Sequence, residues 1–84
     1  MVNEQHIPLR VTYDASANAV YLYLAESIQA GGVAKTVPLD PVDIGGMVNV
    51  DLDSEGRMVG LEVLDARSKL PTSFLSTLTD APPA

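Results

Sequence analysis

The sequence predicts an α+β, mainly-β fold: about five antiparallel strands in a meander, closed by a short C-terminal helix. Three observations carry this expectation. Segments between residues 9 and 64 are rich in β-branched and aromatic residues, most with apolar and polar positions alternating. Gly, Pro, Asn and Asp punctuate the gaps between them. After Leu64 the period changes, and Phe74, Leu75 and Leu78 take up helical spacing.

Residues 1–8 carry no period and end in a proline, so they read as a flexible arm. LRVTYD, residues 9–14, and AVYLYLA, residues 19–25, are the first two strands, separated by turn chemistry. Asp14 suits an Asx-turn and Asn18 tolerates a positive φ. Pairing Asp14 with Ala19 sets Tyr13 against Val20, Val11 against Leu22 and Leu9 against Leu24, all on one face. Arg10, Thr12 and Asp14 then oppose Tyr23, Tyr21 and Ala19 on the other. The second strand is apolar on both faces, so Ala19, Tyr21 and Tyr23 need a cover of their own.

AESIQAGG, residues 25–32, reads as a connection. GVAKTVPL, residues 32–39, reads as a third strand with Val33, Val37 and Leu39 in phase, and Pro38 sends that strand end to an edge or a bulge. DPVDIGG, residues 40–46, reads as a loop. MVNVDLD, residues 47–53, alternates strictly, and RMVGLEVL, residues 57–64, repeats the pattern. Gly60 in mid-strand suggests a bulge or a close approach of another chain. Asp65 is a candidate cap for a turn through Ala66–Lys69, and Thr72 for the helix SFLSTL. Phe74 and Leu78 could cover the tyrosines. Residues 9–78 thus read as a single small domain, with 79–84 as a disordered tail.

The chain has 84 residues and a formal charge of −6. Its cations, Arg10, Lys35, Arg57, Arg67 and Lys69, are scattered among eleven carboxylates. Nucleic-acid and membrane binding are therefore not expected, because both need a concentrated basic surface or a long apolar span. No signal peptide is read at the N-terminus, and no cysteine is present. A cytoplasmic location is the expectation. So short a chain closes a core only narrowly, so any apolar face left over favours self-association or a protein partner.

DLDSEGRMVGLE, residues 51–62, nearly fills an EF-hand calcium loop, with Gly56 sixth and Glu62 twelfth. Both flanks are strands, however. An even loop centred on Glu55 and Gly56 pairs Leu52 with Val59, Val50 with Leu61 and Val48 with Val63. Glu62 then faces Asn49, roughly 13 Å along the strand from Asp53. The sequence therefore predicts a hairpin, and neither a metal nor any other cofactor.

Enzymatic chemistry finds little support. His6 is the sole histidine and sits in the arm. No base is placed near the serines at 16, 27, 54, 68, 73 and 76. Asp51 and Asp53 share a strand face about 7 Å apart, yet a small sheet offers little cleft around them. Glycines 31–32 and 45–46 lack phosphate-loop spacing.

VTYDASANAVYLYL and, later, DLDSEGRMVGLEVLDARSKL resemble the domain-of-unknown-function 2283 family of small bacterial proteins. The first carries an opening tyrosine-aspartate turn and a tyrosine-containing strand. The second follows the family's closing segment, D-x-x-G-R-hydrophobic-V-G-hydrophobic-E-hydrophobic-L-D-A. The resemblance covers roughly residues 9–70. Asn18 stands where the family often carries an acidic residue, a departure that touches only turn chemistry. The resemblance implies a small sheet-rich domain and no established activity. An antitoxin-like role is one it makes thinkable by analogy.

The leading functional expectation is a non-enzymatic interaction module, acting as a homo-oligomer or on a protein partner. Its candidate interface is Tyr21 and Tyr23 with Arg10 stacked on Tyr23, or an exposed strand edge. The alternative is a small-ligand or enzymatic site at an acidic face between subunits, using Asp51, Asp53 and Glu62.

Overall fold

A computed structural model describes residues 2–78; the expected disordered tail, 79–84, lies outside the described residues. Five strands form one antiparallel sheet: β1 (Arg10–Asp14), β2 (Ala19–Tyr23), β3 (Lys35–Pro38), β4 (Val48–Leu52) and β5 (Met58–Leu64). Three single turns of helix accompany it: α1 (Pro41–Ile44), α2 (Ala66–Lys69) and α3 (Thr72–Ser76). Residues 2–9 have no regular structure and are exposed. Among the described residues no helix is long and apolar enough to cross a membrane.

The strand order is β1-β2-β5-β4-β3, and this corrects the meander. A meander would put the third strand at the centre. Pro38 bars that place, since a proline donates nothing to a ladder, and β3 lies at an edge. The centre goes to β5, the longest strand, whose Val59, Gly60 and Val63 are buried. Each hairpin forms locally, and β2 then pairs with β5, Val20 opposite Val63.

Register in the first hairpin is as the alternation requires, from Asp14 opposite Ala19 to Arg10 opposite Tyr23. The ladder stops there, so Leu9 and Leu24 lie outside it. In the second hairpin Val48 faces Val63 and Val50 faces Leu61. The pairing of Leu52 with Val59 fails: Leu52 faces Met58, and the register shifts between Asp51 and Leu52. The irregularity lies beside Gly60, as a mid-strand glycine suggests.

Several local expectations also change. The third strand starts at Lys35, so Val33 lies outside it and is not in phase with Val37. The 40–46 loop contains a helical turn: Asp40 accepts from the Val42 N–H, Pro41 opens it, and Gly45 closes it at φ 70°. Asp65 precedes α2 but makes no side-chain cap; its own backbone is left-handed. Thr72 lies inside α3, behind Pro71, and does not cap it.

The core gathers on one sheet face. Val20, Val63 and Ala66 form its buried centre, ringed by Val11, Tyr13, Leu22, Val48, Leu70, Phe74 and Leu78. The C-terminal turns therefore cover the valine face, and Phe74 and Leu78 do not cover Tyr21 and Tyr23. The physical reason lies in the opposite face. It carries Thr12, Asp14, Asn49, Asp51 and Glu62, and covering it would desolvate carboxylates.

Candidate functional site

The face left open by the helices presents Arg10, Tyr23 and Tyr21. Strand alternation puts them there: Arg10 opposes Tyr23, and Tyr21 opposes Thr12 on one side and Glu62 on the other. The Arg10 guanidinium lies 3.8 Å from the centre of the Tyr23 ring, a cation–π contact. The two tyrosine rings meet edge to face, 4.8 Å between centres and 67° between planes. The stacking of Arg10 on Tyr23 is thus present as the sequence suggests.

Tyr21 is held from below. Its hydroxyl donates to Asp51 Oδ2 at 2.5 Å, and the Thr36 hydroxyl donates to Asp51 Oδ1 at 2.6 Å. Asp51 stands on β4 opposite Gly60 on β5. The Tyr21 side chain therefore crosses β5 to reach its partner. It crosses over Gly60, where a Cβ would lie 2.0 Å from the hydroxyl oxygen. The close approach at Gly60 is made by this chain's own tyrosine. Ile28 and Val33, from the connection before β3, complete a groove of about 300 Å³ with Arg10, Tyr21, Tyr23 and Asp51.

Burial pushes the Tyr21 phenol well above its ordinary value of 10.0. The bond to Asp51 acts in the same direction, as do the charges of Asp51, Tyr23 and Glu62. Folded Tyr21 is thus a protonated donor and not a nucleophile. In the unfolded chain it ionises near pH 10. Its contribution to stability is complete below that pH and is lost as pH rises toward the folded value. The melting temperature is expected to fall above about pH 10, with a shallower slope in Tyr21→Phe. Equal slopes in the two proteins would assign the alkaline titration to other groups.

The acidic trio is not brought together. Asp51 bonds Tyr21 and Thr36. Glu62 accepts from Asn49 Nδ2 at 2.9 Å, across the strand pair the sequence predicts. Asp53 turns into its own hairpin loop, where Oδ1 accepts from the backbone N–H groups of Glu55 and Arg57, both at 2.9 Å. The Arg57 backbone N–H foremost, with that of Glu55 and the Arg57 side chain, holds the Asp53 carboxyl below its usual range. Residues 51–62 are a β-hairpin, and their carboxylates are spent on separate structural bonds. His6 lies exposed in the arm, 3.3 Å from Glu4.

The groove walls Ile28 and Val33 were not legible as site residues: the 25–32 connection has no period to orient Ile28, and Val33 reads as part of a strand that begins only at Lys35. Gly60 carried a signal, a glycine inside an alternating strand. Its partner becomes visible only once β2 is known to pair with β5.

A family model described as protein of unknown function (DUF2283) matches residues 10–67, from the first residue of β1 into α2. No curated protein and no solved structure matches the chain.

Proposed function

The chain belongs to the DUF2283 family, whose description assigns no function, and from that premise we propose a non-enzymatic protein-interaction module whose contact surface is Arg10, Tyr21 and Tyr23. The observation that carries the reading is the placement of the C-terminal turns. They pack on the valine face, so the two tyrosines are left as a preorganised aromatic surface. Aromatic and arginine side chains locked before binding lose little entropy on contact, and such residues dominate interface energetics. The groove beside them, walled by Ile28 and Val33, suits an apolar side chain of a protein partner. With no cysteine in the chain, the partner is sought in a reducing, cytoplasmic compartment. An antitoxin-like role is one form this module could take.

Tyr23→Ser is the informative variant, because Tyr21 also serves the fold through Asp51. Affinity capture from host lysate is expected to recover a stoichiometric partner with the wild type. The Tyr23→Ser protein, shown to be folded by circular dichroism, is expected to lose at least about tenfold of that affinity. Equal recovery by both proteins, or recovery of the bait alone, would count against the reading.

A further inference from the structure

We propose that two copies of this chain join edge to edge through β1, the strand Arg10–Asp14 running antiparallel to its counterpart about a two-fold axis at Thr12. The inference goes beyond the aromatic contact surface, with which it shares Arg10, and does not depend on what that surface binds.

The sheet has two edges, β1 and β3, and they differ. β3 ends in Pro38, a residue with no N–H to offer a further strand. β1 contains no proline, and its sequence is Arg-Val-Thr-Tyr-Asp. An edge strand presents a row of backbone donors and acceptors to whatever strand can match it.

The best match for this strand is itself. Turned antiparallel about Thr12, Arg10 faces Asp14 of the second copy, and Asp14 faces Arg10 of the second copy. Val11 and Tyr13 oppose each other in the same way on the valine face, and Thr12 meets Thr12. Opposite charges, an aromatic against a β-branched residue, and paired threonines are all favourable cross-strand neighbours. A shift of one residue would set the valine face of one copy against the tyrosine face of the other. A shift of two would separate both charge pairs. Asp14 is free to take part: Ser16 Oγ and the Ala17 N–H both donate to its Oδ1, which leaves Oδ2 for the second copy.

The arm before β1 leaves apolar side chains open beside this edge, with Ile7 and Leu9 exposed. The same register carries Leu9 past the ladder toward Ala15 of the second copy, and Pro8 ends the pairing. A two-fold contact of this kind is self-complementary and closes at two chains.

Light scattering across a concentration series tests the pairing with two charge reversals. The wild type is expected to reach twice the 8.9 kDa chain mass. Arg10→Asp and Asp14→Arg each set like charges together at both ends of the ladder, and each is expected to weaken dimerisation by at least about tenfold. Mixed in equal amounts, the two are expected to form a heterodimer, since every charge then meets its opposite. The heterodimer would also show that both variants are folded. In addition, Thr12→Cys is expected to cross-link to a covalent dimer on oxidation. Directly opposed residues of an antiparallel pair sit within disulfide reach, and the chain has no other cysteine. Ser54→Cys, in the far hairpin turn, is the control and is expected to remain monomeric on the gel. A wild type that stays at one chain mass overturns the proposal. So do single reversals that dimerise like the wild type, or a mixture that stays monomeric. Asp14 lies outside the aromatic surface, so Asp14→Arg that loses the dimer yet keeps a captured partner separates the two contacts.

Discussion

Gly60→Ala is expected to destabilise the protein by about 3 kcal/mol, a fall of roughly 15 °C in melting temperature for a domain of this size. In most strands the same change would be neutral or mildly stabilising, because alanine restricts the unfolded chain. Here the new Cβ would lie 2.0 Å from the Tyr21 hydroxyl oxygen, 2.4 Å from Cζ and 2.6 Å from Cε2. Strand β5 cannot retreat, since β2 and β4 hold it on both sides. The ring must swing away instead, and it then surrenders its bond to Asp51. Denaturant unfolding of a double-mutant cycle checks the cause. In a Tyr21→Ser background, Gly60→Ala should cost less than about 1 kcal/mol. A similarly small cost in the wild type would show that the ring does not cross Gly60.

Asn18→Ala is expected to cost about 2 kcal/mol, through two effects that a short series can separate. Asn18 has φ 53°, in the left-handed region that alanine adopts only at a cost. It also ties the first hairpin turn to α2. Its backbone carbonyl accepts from the Ala66 N–H at 2.9 Å, and its Oδ1 accepts from the Arg67 N–H at 3.0 Å. Its Nδ2 donates to Asp65 Oδ1 at 3.0 Å. Asn18→Gly keeps the backbone freedom and loses the side-chain bonds, so it should recover about half of the loss. Asn18→Asp keeps an acceptor for Arg67 but turns a carboxylate toward Asp65, and its penalty should shrink as salt is added. A series in which all three variants unfold together would remove the backbone contribution from this account.

Asn18 also marks where sequence reasoning stopped. Its tolerance of positive φ was legible from residue type. Its bonds to Asp65 and Arg67 were not, because nothing local to the turn encodes a contact with the far end of the chain. Asn18 therefore contributes more than turn chemistry. The same division runs through the fold. Register followed from alternation throughout the first hairpin, where a slip would have moved Val11, Tyr13 and Val20 to the wrong face, and in the second only from Val48 to Asp51, because alternation carries no sign of the irregularity beside Gly60. Strand order did not follow, because pairing of β2 with β5 is set by which surfaces match across the sheet and not by any turn. The helical stripe of Phe74 and Leu78 announced an apolar contact without naming the face. The carboxylates of the tyrosine face decide that question, and they were visible in the sequence had β2, β5 and β4 been placed side by side. For the candidate site, the Arg10–Tyr23 stack was legible as a cross-strand pair. The reach of Tyr21 to Asp51 spans two strands, which short-range spacing cannot express.

The non-sequential strand order also sets how the chain finds its structure. β1 with β2, and β4 with β5, are joined by tight turns, so each can form in microseconds from neighbouring residues. The seam between β2 and β5 must wait for the chain between Tyr23 and Met58 to close on itself, the slow step that long sequence separation imposes. Once that ring is closed, the length of its connection matters little, since doubling a flexible loop costs only about 0.6 kcal/mol. The 25–32 connection could therefore be lengthened at little cost, and its Ile28 would carry such variation to the rim of the tyrosine groove.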